Sequence, residues 1–279
     1  MPAKGIALNI GLNGVDPKHY GGWSGPLLAC EADANDMADL ARSRAFAVTP
    51  LLTKAATRAS MFSEITKAAS TLVSGDIFLL TYSGHGGQLP DLNGDEPDGQ
   101  DETWCLYDGQ VVDDEIYALL AKFAKGVRVL MFSDSCHSGT VAKLAFYKSI
   151  PMTSALTGAT SEIRYRFMPN EIAQRTYRDN RRLYDPILKD AKLKSAPESV
   201  KASVLLISGC EDNQLSSDGT FNGLFTGELL QVWNSGKFKG NYRAFYRGIC
   251  NRMPPVQTPN YFHVGPVSGS FEKQTPFTI

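Results

Sequence analysis

Ile77-Phe-Leu-Leu-Thr-Tyr-Ser-Gly-His85-Gly-Gly87 and Val127-Arg-Val-Leu-Met-Phe-Ser-Asp-Ser-Cys136-His-Ser-Gly139 decide how this chain is read. Each is an apolar run of strand length that ends in small residues. A continuous apolar run suits a strand buried on both faces, as in a parallel sheet. Small residues after it put the next side chain at the carboxyl edge of that sheet, where open α/β folds place their chemistry. His85 and Cys136 stand at two such ends, 51 positions apart. A thiol is a strong nucleophile only as thiolate, and a nearby imidazole makes it one. The pair points to a cysteine hydrolase that attacks a carbonyl.

Working outward, strands are expected at Gly5 to Gly11, Phe46 to Leu52, Gly75 to Tyr82, Val127 to Phe132, Ser203 to Ser208 and Asn260 to Val264. Helices are expected at Cys30 to Arg44, Thr57 to Val73, Asp113 to Lys125, Phe221 to Trp233 and Tyr242 to Met253. This alternation predicts an α/β fold with a mostly parallel sheet and helices on both faces. The stretch from about Ser149 to Val200 breaks it. That stretch is strongly basic, with Arg164, Arg166, Arg175, Arg178, Arg181, Arg182, Lys189, Lys192 and Lys194, and reads as a partly helical insertion in a single domain spanning 1–279.

The 279 residues carry a net charge of −1, so no nucleic-acid or membrane-surface partner is expected. No stretch has the roughly 20 apolar residues of a membrane span. The N-terminus lacks a signal-peptide core, and a cytoplasmic location is expected. Cys30, Cys105, Cys136, Cys210 and Cys250 are odd in number and widely spaced, which suggests reduced thiols rather than disulfides or a zinc site.

The blocks Tyr82-Ser-Gly-His-Gly-Gly87 and Asp134-Ser-Cys-His-Ser-Gly139 resemble those of the metacaspases and orthocaspases, within the caspase-like cysteine peptidases. The resemblance extends to Cys30-Glu-Ala-Asp-Ala-Asn-Asp-Met37, Asp98-Gly-Gln-Asp-Glu102, Val112-Asp-Asp-Glu-Ile116 and Ile207-Ser-Gly-Cys-Glu-Asp-Asn-Gln214. It implies a caspase-like three-layer sandwich around a six-stranded sheet, and a cysteine endopeptidase with a His85/Cys136 dyad. Cys136 attacks the scissile carbonyl, and His85 protonates the leaving amine. The backbone N–H groups of Gly86 and Cys136 form the oxyanion hole. His137, beside the nucleophile, is assigned an orienting or structural role.

By the same resemblance Asp33, Ser83 and Asp134 line the first substrate subsite, with Cys30 at its edge, and the subsite accepts Arg or Lys. Asp134 is two positions before the nucleophile, on the same face of an extended chain. Carboxylates there suit a cationic side chain. The expected partners are protein or peptide substrates with a basic residue before the cleaved bond. The basic insertion then becomes a place where the enzyme cuts itself, and the sequence does not choose among its arginines and lysines. The resemblance suggests a monomer.

Asp91 to Glu102 has the spacing of a calcium loop, but Glu96 replaces the glycine of the sharp turn and no flanking helices are evident, so an EF-hand is rejected. The resemblance implies Asp101, Asp113 and Asp114 as calcium ligands. Lys143 stands in the fourth ligand position, and a charged lysine repels the ion. No cofactor is therefore expected to be required. The alternatives are a caspase-like peptidase of other specificity, for example for aspartate, and an inactive scaffold that binds partners through its basic loop.

Overall fold

The structure is a computed structural model and describes residues 2–94, 96, 98–135, 164–209, 217–218, 221–255 and 257–279. In chain order its elements begin with β1 (Gly5–Gly11), α1 (Cys30–Ser43), β2 (Ala47–Leu52), α2 (Arg58–Thr71) and β3 (Ile77–Ser83). A hairpin region follows, with β4 (Gly86–Pro90), β5 (Gln100–Leu106), β6 (Gly109–Val112) and α3 (Asp113–Leu120). Next come β7 (Arg128–Asp134), β8 (Arg164–Tyr165), α4 (Asn170–Asp179), α5 (Arg181–Leu188) and α6 (Ala191–Lys194). The chain closes with β9 (Ser203–Ser208), β10 (Ser217–Asp218), α7 (Leu224–Trp233), α8 (Tyr242–Cys250), β11 (Asn260–Val264) and α9 (Gly269–Glu272).

The main sheet has the order β11-β9-β7-β3-β1-β2. All pairings are parallel except β11 with β9. Alternate residues of each strand feed opposite layers, as the period of two requires. Leu8, Ile10, Phe78, Leu80, Val129 and Met131 pack under α2 and α3. Ala7, Ile77, Leu79, Leu130, Phe132 and Ile207 pack under α1, α7 and α8. Each fully buried side chain of this size contributes roughly 1.5–3 kcal/mol. Both faces are thus covered, as expected from the apolar runs.

Two features depart from the expectation. The helix predicted over Asp113 to Lys125 ends at Leu120, where Lys122 and Phe123 make tightened i→i−3 bonds before Gly126 turns the chain at φ +86. Residues 86–112, where no strand was expected, form an antiparallel sheet in the order β4-β5-β6. The Asp91 carboxylate satisfies the turn between β4 and β5 by accepting from the N–H groups of Asn93, Gly94 and Glu96. This is an Asx-type turn. In the basic stretch, Tyr184 and Leu188 of α5 pack on Leu89 and Val112. No helix among the described residues is long and apolar enough to cross a membrane.

Candidate active site

The carboxyl edge of the parallel sheet gathers the side chains that carry chemistry. Ser83 and Asp134 are register partners at the ends of β3 and β7. Asp33 lies one turn into α1, and Ser83 Oγ donates to Asp33 Oδ2 at 2.7 Å. Asp218, at the end of β10, accepts from the N–H groups of Leu28 and Ala29 just before α1. The start of α7 faces the same hollow. Gly223 N–H donates to Asp33 Oδ1 at 2.9 Å, and Thr226 donates to Asp134 Oδ2 through both its N–H and its hydroxyl. A helix N-terminus favours anions because its first N–H groups lack intrahelical acceptors.

Arg166 fills this hollow and has no solvent exposure. Its Nη2 lies 2.7 Å from Asp33 Oδ2 and 3.0 Å from Asp218 Oδ1, and its Nη1 lies 3.0 Å from Asp134 Oδ2. Nη1 also donates to Ser83 Oγ at 2.8 Å. Burial alone would pull the guanidinium down, but the carboxylates of Asp134, Asp33 and Asp218 outweigh it and hold Arg166 above its usual value. Burial raises Asp33 despite the nearby cation. The hollow is thus a buried cation site with three carboxylates. Asp33, Ser83 and Asp134 are brought together here. Cys30 is buried beside them, and burial pushes its thiol up so that it stays neutral.

Asp218 and Gly223 went unrecognised in the sequence. Asp218 sits in a two-residue strand that carries no periodic signal. Gly223 matters for space: a Cβ there would stand 2.4 Å from Arg166 Nη2 and 2.5 Å from Cζ. Its backbone at φ −60 would accept alanine. Overpacking of this kind costs about 1–3 kcal/mol. Gly223→Ala is therefore expected to destabilise the chain by about 1–3 kcal/mol. Denaturant titration checks this, and an unchanged midpoint would refute the steric reading.

His85 lies just past β3 and is buried. Its Nε2–H donates to the Gly25 carbonyl at 2.9 Å, and its ring packs 4.7 Å from that of Trp23. The Tyr82 hydroxyl donates to the His85 carbonyl at 2.7 Å and stacks its ring on Trp104, which fixes the main chain under the imidazole. Trp23 and Gly25 lie in the loop before α1, whose positioning role the sequence did not reveal. Burial lowers His85 to about 4, the Gly25 carbonyl opposes that shift, and the Arg166 cation adds to it. The ring is therefore neutral near pH 7. With Nε2 committed to a carbonyl, Nδ1 carries the lone pair. Nδ1 is buried and has no hydrogen-bond partner among the described residues. It is available to receive a proton. The Gly86 N–H, the described half of the expected oxyanion hole, donates to the Arg166 carbonyl at 3.0 Å. Cys136, His137 and Lys143 lie outside the described residues.

The acidic residues expected as calcium ligands lie elsewhere, on β5 and at the start of α3. Asp113 is pushed up to about 8 by burial and by the charges of Asp114, Glu102 and Glu96. Its Oδ1 accepts from the Asp114 N–H, and the Glu115 carboxylate, not Asp113, satisfies the Val112 N–H at the helix start. Among the described residues no three His, Cys, Asp or Glu side chains are grouped to hold a metal ion.

Comparison with known proteins agrees with this architecture. The crystal structure of protein GSU0716 from Geobacter sulfurreducens superimposes with a TM-score of 0.89 at 62% identity, over 99% of each chain. Caspase-1 from Spodoptera frugiperda shares the fold, with a TM-score of 0.56 at 11% identity over 94% of this chain and 86% of that one. Metacaspase-1 of Schizosaccharomyces pombe is 31% identical over 201 residues, which covers 62% of this chain and 44% of that protein. Metacaspase-1 of Mycosarcoma maydis is 29% identical over 298 residues, covering 97% and 71%. The chain thus spans less than half the length of the first of these curated relatives. The sequence pattern described as Caspase domain matches residues 4–276, nearly end to end, and the chain belongs to that family of peptidases.

Proposed function

We propose that this chain is a cysteine endopeptidase that hydrolyses peptide bonds after Arg or Lys, with Cys136 as nucleophile and His85 as its proton partner. The observation that supports this best is the hollow occupied by Arg166. It holds a guanidinium between Asp33, Asp134 and Asp218, and the main chain of that arginine is bound by the Gly86 N–H. Burying a charge is costly unless it is paired and hydrogen-bonded. A dry acidic hollow therefore selects a cation and rejects an aspartate side chain. The planar fork of Arg matches paired carboxylates better than the point charge of Lys.

In this reading His85 Nδ1 takes the proton from the Cys136 thiol. The thiolate attacks the carbonyl carbon, and the developing oxyanion is met by the Gly86 N–H. A preorganised donor of this kind acts where charge develops and needs no reorganisation. His85 then gives its proton to the leaving amine, and water hydrolyses the thioester. No step needs a metal.

Short peptides with Arg, Lys or Asp before a fluorogenic leaving group test the reading, assayed in chelator and in calcium. Hydrolysis should follow the order Arg, then Lys, with Asp at background, and the rate should not change between the two buffers. Preferred cleavage after Asp would establish the other specificity. A protein that cleaves none of them, and whose Cys136 ignores an electrophilic peptide, would be a scaffold.

A further inference from the structure

Arg166 does more than show that the hollow fits a guanidinium: the chain around it lies as a substrate would. Arg164 and Tyr165, the two residues before it, pair antiparallel with Asp218 and Ser217. Strand addition of this kind is how extended peptides dock on a protein edge. The Arg166 carbonyl accepts from the Gly86 N–H at 3.0 Å, and the Met168 N–H donates to the Gly86 carbonyl at 2.7 Å. One glycine thus grips the chain on both sides of the bond between Arg166 and Phe167. Phe167 forms a parallel bridge with Gly86, the residue that follows His85. Beyond the bond, Met168 is anchored among Val15, Tyr20, Cys105 and Ala173.

We propose that the Arg166–Phe167 bond is the self-cleavage site of this chain and that its hydrolysis clears the substrate hollow. The proposal rests on the peptidase reading above. It also selects among the basic residues of the insertion. Arg175, Arg178, Arg181 and Arg182 sit in α4 and α5, where a helical backbone cannot lie extended across Gly86. The Cys136 sulfur bonds to the Arg166 carbonyl carbon, and the C–N bond to Phe167 breaks. The proton that His85 took from the thiol goes to the Phe167 nitrogen. One water then hydrolyses the thioester, restoring the thiol and leaving a carboxylate on Arg166 and an amine on Phe167. Until that happens Arg166 competes with every other substrate as a tethered ligand, an intramolecular advantage that free peptides lack.

The test is intact-mass and N-terminal analysis of wild type, Cys136→Ala, Arg166→Ala and Arg166→Lys after incubation, alongside hydrolysis of an Arg peptide. Wild type should yield a fragment beginning at Phe167, and Cys136→Ala should stay whole. Arg166→Ala should lose this cut while hydrolysing the peptide at least as fast as wild type, because its hollow is open. Arg166→Lys keeps a cation among the carboxylates and should cut at the same bond, more slowly. An active wild type that stays whole, or whose fragment begins elsewhere and persists in Arg166→Ala, overturns the proposal and leaves the peptidase reading intact. Should Arg166→Ala fail to fold, the wild-type fragment still decides. A wild type that neither cuts itself nor hydrolyses the peptide overturns both.

Discussion

His85→Ala is expected to lower kcat for Arg peptides by about 10³–10⁴-fold and to leave KM nearly unchanged. The size follows from the site. His85 Nδ1 is buried and has no hydrogen-bond partner among the described residues, and burial keeps the ring neutral. The effect on KM is small because none of the contacts around the guanidinium involves the imidazole. The same group leaves a mark on folding. Its value in the folded protein is about 4 against 6.5 ordinarily, so between those values the unfolded chain binds more protons. Stability therefore falls as pH drops from about 6.5 towards 4, and this group accounts for about 3 kcal/mol of that fall. Denaturant titrations across that range should show a shallower decline for His85→Ala. A variant within tenfold of wild-type kcat would remove His85 from the chemistry.

How much of this was legible depends on where each signal resides. Strands β1, β3, β7 and β9 are continuous apolar runs because both faces of the sheet are covered, and a run bounded by small residues can be read without knowing its neighbours. His85 and Asp134 were legible for the same reason, since they stand at the ends of such runs. The β4-β5-β6 sheet was not. Its first strand is Gly-Gly-Gln-Leu-Pro and its hairpin turn is a run of acids, so local composition argued for a loop. The sheet exists through antiparallel pairing and through the burial of Leu89, Trp104 and Cys105, which are tertiary facts.

Strands β8 and β10 lie further beyond sequence reading. Two residues carry no periodicity, and each strand exists only because the other is there. Asp218 therefore looked like one more turn residue, although it supplies a third carboxylate to the hollow. Arg166 was visible as one base among many. Its distinction is spatial: the arginines of α4 and α5 were equally basic in composition, and Arg178 and Arg181 remain on the solvent face. Gly25 shows the same limit in the backbone. Its φ of +50 and its carbonyl at His85 Nε2 follow from a loop whose glycines look alike in sequence.

Asp33→Asn should be the most damaging single change in the hollow, more so than loss of Ser83. Asp33 accepts four hydrogen bonds: Oδ1 takes Asn222 Nδ2 and the Gly223 N–H, and Oδ2 takes Ser83 Oγ and Arg166 Nη2. All four partners approach as donors. Asparagine has one acceptor oxygen and a donor NH₂, so in either orientation it turns a donor towards two donors. Breaking a buried ion pair by removing one partner costs about 3–5 kcal/mol. That corresponds to a loss of roughly 10²–10⁴-fold in kcat/KM for Arg peptides. Ser83→Ala removes two hydrogen bonds, one given to Asp33 and one taken from Arg166, but no charge, and should cost about 1.5–3 kcal/mol, roughly 10–100-fold. In the uncut chain Arg166 depends on the same carboxylate, so Asp33→Asn should also lower the melting temperature. The Cys136→Ala background, in which the chain stays whole, isolates that effect. Equal kinetic losses for Asp33→Asn and Ser83→Ala would mean that charge in the hollow does not set specificity, and the basic-residue reading would fall with it.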